Sequence, residues 1–288
     1  MSDNTAEFYS GGGVFNQGSL TITDSTLSDN FANDSGGGFF NLTDYPLKTT
    51  ITNSTISGNV AATFGGGGIY NGSGATLNLT DSTVADNVSV NQPAGGIYGF
   101  FGSTINVTRS TVSGNVSIYG GGIWSNSDYT TPSLTLNSCT IYGNKAELGG
   151  GIHSGGTLVV RNTIIAGNTA SSGPNCEGTI TSAGYNLDSG NSCLLTGTGD
   201  QINTDPLLGV LLDNGGPTST HALALLSPAV DAGEARKLIG WAGSQEKRAW
   251  IVPKTGHTFG AVHPWQGPTP AWERLVDLTA SWFENWLG

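Results

Sequence analysis

The segment Gly66-Gly67-Gly68-Ile69-Tyr70-Asn71, followed by Leu77-Asn78-Leu79-Thr80 and then Asp81-Ser82-Thr83-Val84-Ala85-Asp86-Asn87, decides the fold. It joins a glycine cluster ending on an apolar residue, an apolar/polar alternation, and an Asn preceded at three positions by a further apolar residue. The same order recurs along the chain. Glycine–apolar pairs stand at Gly13-Val14, Gly38-Phe39, Gly68-Ile69, Gly96-Ile97, Gly122-Ile123 and Gly151-Ile152, spaced by 25, 30, 28, 26 and 29 residues. The Asn recurs as Asn30, Asn59, Asn87, Asn115, Asn144 and Asn168, spaced by 29, 28, 28, 29 and 24.

Counting back from each Asn gives apolar columns. Three before stand Leu27, Ile56, Val84, Val112, Ile141 and Ile165. Eight before stand Ile22, Ile51, Leu79, Val107, Leu136 and Val160, and ten before stand Leu20, Thr49, Leu77, Ile105, Leu134 and Leu158. The eight/ten pair alternates with polar residues, which is the pattern of a strand with one buried face. Its residues are mostly β-branched or Leu, suited to a packed pleated surface. A period of about 27 residues with short strands is one coil of a solenoid, in which each coil buries its apolar face only against the next. Gly and Asn suit the corners, where left-handed backbone angles are needed. The Asn column either forms an inward ladder of side-chain amides or merely tolerates a turn. The ladder is favoured because the position does not drift to Asp, Gly or Ser.

Composition agrees with this and locates a boundary. The chain has 288 residues, 45 of them Gly, and only 11% are charged. Average soluble domains carry about 7% Gly and about 25% charged residues. Residues 1–233 hold 39 of the Gly and 16 acidic against 4 basic residues, a formal charge of −12. Residues 234–288 hold 6 Gly and 5 acidic against 6 basic residues, a formal charge of +1, with six of the seven Trp. So few cations argue against a nucleic-acid partner. No run of apolar residues is long enough for a membrane-spanning helix. The start of the chain does not have the form of a signal peptide. Asn4 stands 26 before Asn30, so Met1 begins inside a coil, and further coils with a signal peptide are expected upstream.

Gly66–Asn71 and Asp81–Asn87 resemble the repeats of right-handed parallel β-helix surface proteins with a pectin-lyase-like fold. A later stretch is more specific. It contains Gly173-Pro174-Asn175-Cys176-Glu177-Gly178, Ser182-Ala183-Gly184-Tyr185-Asn186-Leu187 and Cys193. It continues through Asp205-Pro206-Leu207-Leu208-Gly209 and Asp213-Asn214-Gly215-Gly216-Pro217-Thr218 to Ser227-Pro228-Ala229-Val230-Asp231-Ala232-Gly233. It resembles the C-terminal region of bacterial β-helix proteins with a choice-of-anchor Q domain. The resemblance implies an all-β, right-handed parallel β-helix of about seven to eight coils from an extracytoplasmic or cell-surface setting. The expected division is β-helix repeats at 1–170, an anchor-Q-like region at 171–233 and a different unit at 234–288.

In that last unit, residues 234–247 read as a helix, 248–253 as a strand and 272–287 as an amphipathic helix. Together with Gly256-His257-Thr258-Phe259-Gly260 they resemble the last quarter of α/β-hydrolases of the dienelactone-hydrolase type. The resemblance implies a short α/β segment with His257 at the position of the catalytic base. The chain has no Gly-x-Ser-x-Gly turn for a nucleophile and no acid to orient the His, so the triad is incomplete. The change of composition at 233 reads as a join between two units.

Among the remaining candidates, Cys176 and Cys193 lie 17 apart in the anchor-like region. They read either as a disulfide closing that loop, worth about 3 kcal/mol, or as two thiols. Cys139 reads as a free, small packing residue in a repeat. Tyr70, Tyr98, Trp124 and His153 each follow the apolar residue of a glycine cluster, where the first repeat offers the polar Asn16. They form either a sugar-stacking stripe on one outer face or a cross-coil stack serving stability. Arg109 and Arg161 are the only Arg in the repeats. Related polysaccharide lyases use an Arg base beside Ca²⁺-binding carboxylates, but Asp24, Asn53 and Asp81 precede Arg109 in a column of mixed charge. No cysteine/histidine spacing or complete acidic loop points to a metal, and no cofactor is implied. The function expected is a non-enzymatic, extracytoplasmic, adhesin-like module binding polysaccharide or a host or matrix surface. The alternatives are a polysaccharide lyase or glycosidase, which would need converging carboxylates, and a hydrolase remnant resting on His257 alone.

Overall fold

The computed structural model describes residues 1–42, 47–125, 133–224 and 226–229. The α/β segment expected over 234–288, with His257, lies outside the described residues. Within them the chain is an all-β parallel β-solenoid of about six turns, with no helix. In the third coil the strands are Ile69–Asn71, Thr76–Thr80, Thr83–Ala85 and Val88–Ser89. Equivalent strands of successive coils pair in parallel, forming sheets of twelve, seven and four strands along the stack.

The sequence columns are the pairing register. Leu20, Thr49, Leu77, Ile105, Leu134 and Leu158 are successive partners. So are Leu27, Ile56, Val84, Val112, Ile141 and Ile165. With the Ile69–Ile97–Ile123–Ile152 column they form one continuous buried core. Each fully buried Ile, Leu or Val contributes about 1.5–3 kcal/mol, so stacking the same column repeatedly stabilises coils that could not stand alone.

Two corners flank the strand before each Asn. The residues six before it, Asp24, Asn53, Asp81, Arg109, Ser138 and Asn162, all adopt left-handed backbone angles, with φ between 45° and 57°. Asp and Asn tolerate this conformation better than most L-residues. The glycine cluster answers a different demand. A Cβ on Gly67 would sit 2.5 Å from the Val88 carbonyl oxygen and 2.6 Å from that of Gly95. One on Gly68 would meet the Gly96 carbonyl at 2.8 Å and the Asn87 amide at 3.0 Å. These glycines let neighbouring coils approach, whatever their own φ.

The stack ends sooner than the seven to eight coils expected. Cys176 pairs with Ile152, so Pro174 and Asn175 take the places of two stacking glycines, Gly150 and Gly151. Strand Leu187–Asp188 adds one more layer on the seven-stranded sheet. After one further parallel bridge, Leu187 to Gln201, the chain leaves the coil path for an antiparallel hairpin, Leu208–Leu212 with Thr220–Leu223. The hairpin lies back along the seven-stranded sheet. The Thr83 hydroxyl bonds Thr218 Oγ1 at 3.0 Å and the Ser219 carbonyl at 2.6 Å. Thr83, Ala85, Thr111 and Ser113 are consequently buried, whereas Thr55 and Ser57 on the preceding coil stay half-exposed.

Candidate functional site

Strand alternation sets the residue after each inward apolar position on the outer face. Phe15, Phe40, Tyr70, Tyr98, Trp124 and His153 are therefore successive register partners, with Glu177 after them. Tyr70, Tyr98, Trp124 and His153 share one column, as the sequence indicates. Phe15 and Phe40 extend it, and Asn16 belongs to the next column. There Asn16 donates to Asn41 Oδ1 at 2.7 Å and Asn41 to Asn71 Oδ1 at 3.0 Å, a second short ladder.

The rings stack along the axis. Phe15 and Phe40 lie 5.2 Å apart at 18°, and Phe40 and Tyr70 lie 4.8 Å apart at 21°. Tyr98 meets Tyr70 edge-on at 5.2 Å, and Phe100 lies 5.8 Å from both. Further along, Trp124 stacks on His153 at 4.1 Å with Tyr119 against its edge. Among the described residues, Trp124 Nε1 and His153 Nδ1 are buried without a hydrogen-bond partner. Burial lowers the His153 imidazole below its ordinary range, an effect that the Glu177 carboxylate opposes.

Loop length separates these two parts. From the ladder Asn to the following stacking position the chain takes 8 residues (Asn30–Gly38), then 9 (Asn59–Gly68) and 9 (Asn87–Gly96). It takes only 7 in the next three cases, Asn115–Gly122, Asn144–Gly151 and Asn168–Asn175. The longer loops carry Asp34, Phe64 and Gln92. These residues stand over Phe40, Tyr70 and Tyr98 and enclose a half-open cleft of about 240 Å³. Phe64 is 59% exposed at its rim, while Phe40 and Tyr98 are buried. Asp34 Oδ2 accepts a 2.8 Å hydrogen bond from Ser10 Oγ. Among the described residues Asp34 Oδ1 has no hydrogen-bond partner. Burial raises the Tyr70 phenol well above its usual range, helped by Tyr98 and the Asp34 charge. Asp34, Phe64 and Gln92 lie in loops that carry no periodicity, so no sequence column marks them. The added loop residues were the available signal.

The other candidates resolve as parts of the scaffold. The Asn column is an inward ladder. Asn30, Asn59, Asn87, Asn115 and Asn144 each donate through Nδ2 to the Oδ1 of the next Asn at 2.8–2.9 Å. Each Oδ1 from Asn59 to Asn168 also accepts the backbone N–H of the preceding Asn. From Asn59 onward the second amide hydrogen meets a carbonyl of the coil before, such as Ile56 for Asn87. All four hydrogen-bonding sites of these buried amides are filled, leaving no desolvation penalty unmet. Asn168 passes the ladder to Asn175. Cys176 and Cys193 form a disulfide, with Cα atoms 4.8 Å apart. Cys139 is a free, buried thiol. Arg109 is bidentate to Asp81, with both contacts at 2.7 Å. Among the described residues, no group of three or more His, Cys, Asp or Glu is placed to hold a metal ion. Nor is any helix there long and apolar enough to cross a membrane.

No family model, no curated protein and no solved structure matches the chain. The choice-of-anchor and dienelactone-hydrolase resemblances therefore rest on the quoted motifs alone.

Proposed function

We propose that the protein is a non-enzymatic, extracytoplasmic surface module of the right-handed β-helix type, adhesin-like, that holds glycans along its aromatic column. One observation carries this reading. In the first coils the outward rings open into a cleft that combines aromatic surface with a carboxylate and side-chain amide and hydroxyl groups, the mixture that sugars require. The Cys176–Cys193 disulfide supports an oxidising compartment, and the anchor-like motifs around it support a surface origin. The lyase alternative draws no support from Arg109, which is committed to Asp81. Co-sedimentation with insoluble polysaccharides and a glycan array test the proposal. Binding that is lost in Phe64→Ala and Tyr70→Ala supports it. Binding unchanged in both variants, or none to any glycan, removes it.

A further inference from the structure

The cleft over Phe40, Tyr70 and Tyr98 has an electrostatic character that narrows its ligand. Among the described residues that line it only Asp34 is charged, and none is basic. Ser10 fixes one oxygen of the Asp34 carboxylate, and the other is unpaired among the described residues. Phe40 is stacked between Phe15 and Tyr70, but Phe64 at the rim is exposed, and an aromatic ring open to the cleft attracts cations rather than anions. The background has the same sign, since residues 1–233 carry 16 acidic and 4 basic residues. Field lines in a low-dielectric cleft of this kind concentrate positively charged ligands. At about 240 Å³ the space holds a headgroup or a single ring. Drug-sized ligands take about 300 Å³ or more.

We propose that this cleft binds an organic ammonium group, presented as the protonated amine of an amino sugar, between the Asp34 carboxylate and the rings that line the cleft. The inference rests on the glycan-binding reading for its carrier and on Asp34 and the rings for its charge. A neutral sugar could hydrogen-bond Asp34 but would leave its charge uncompensated. An acidic sugar would be repelled by the Asp34 carboxylate.

Calorimetric titration of the full chain with three probes separates the possibilities: a glucosamine oligomer, the same oligomer N-acetylated, and choline as a free cationic headgroup. The glucosamine oligomer is expected to bind at least tenfold more tightly than its acetylated form, and to weaken with salt. Asp34→Asn should remove that preference, and Phe64→Ala, at an exposed rim position that cannot unfold the core, should weaken binding of the amine. Equal binding of both oligomers, unchanged by Asp34→Asn, overturns the ammonium site and leaves the glycan reading standing. Binding of choline with no binding of either oligomer overturns the amino sugar as the ligand, while the glycan reading is decided separately by the glycan array. Binding of none of the three overturns the ammonium proposal.

Discussion

The inner wall that carries Asn30 to Asn168 and the outer strand face that carries Phe15 to His153 belong to the same coils, yet they obey opposite rules. On the wall each position is buried and must satisfy two donors and two acceptor sites, and only Asn stacked on Asn does so at every level. On the outer face the residue needs only to cover its neighbour, so Phe, Tyr, Trp and His all serve. The loop beside it is free to lengthen from 7 to 9 residues. A solenoid thus keeps a strict side for stability and a permissive side on which a site can be shaped.

The contrast can be broken first at the wall. Asn87→Ala strips partners from the Asn59 amide and backbone N–H, the Asn115 Oδ1 and the Ile56 carbonyl, all buried. The expected loss is about 3–5 kcal/mol, read by chemical unfolding. Where the wall closes, replacing Cys176 and Cys193 together by Ser should cost about 3 kcal/mol by the same measurement. On the outer face, Tyr70→Ala should cost only about 1–2 kcal/mol, because the ring is half-buried, while abolishing ligand binding. A loss there equal to that of Asn87→Ala would refute the division between strict and permissive sides.

The smallest effect concerns the hairpin laid on the seven-stranded sheet. His221 Nε2 lies 2.8 Å from Ser113 Oγ, Nδ1 lies 2.7 Å from the Gly209 carbonyl oxygen, and Tyr142 packs on the ring at 4.6 Å. Burial lowers its pKa, a shift that the Gly209 bond and Asp86 partly offset. A histidine depressed in the folded state binds fewer protons there than when unfolded. Its favourable packing is therefore complete above the ordinary imidazole value of about 6.5 and is lost as pH falls below it. Burial also raises the Asp86 carboxyl, which acts in the opposite sense but over the lower, carboxylate range. Thermal melting between about pH 7.5 and about pH 5.5 should show a modest fall in Tm, absent in His221→Gln. An unchanged melting curve for the native chain would show that the hairpin does not depend on a neutral His221.

How much was legible in advance follows the same division. The columns three, eight and ten before each Asn were visible because every coil imposes one physical demand at each of those positions. The ladder could be inferred because only one side chain meets its demand. Cys139 was readable as a packing residue because it falls where other coils place a small hydroxyl, as in Ser82 and Ser110. The cleft was not readable, because Asp34, Phe64 and Gln92 come together only through stacking and sit in loops of unequal length. The hairpin escaped for a related reason. Leu208–Leu212 and Thr220–Leu223 pair only with each other, outside any column that a repeat could reveal.

The ladder also has a direction. From Asn4 through Asn30 to Asn168 every side-chain amide receives on its oxygen from the earlier coil or stands at the start of the row, and points one N–H toward the next Asn. The amide dipoles therefore add head to tail along the axis, and hydrogen bonds aligned in this way polarise one another. The positive end of this row falls at Asn175, whose Nδ2 donates to the buried Asp188 carboxylate. Asp188 also accepts the backbone N–H groups of Gly190 and Cys193. An acidic residue thus stands where a column of uncharged side chains concentrates positive potential, as an anion does at the start of a helix. A wall built without charge ends on a buried acidic side chain that three N–H donors hold in place.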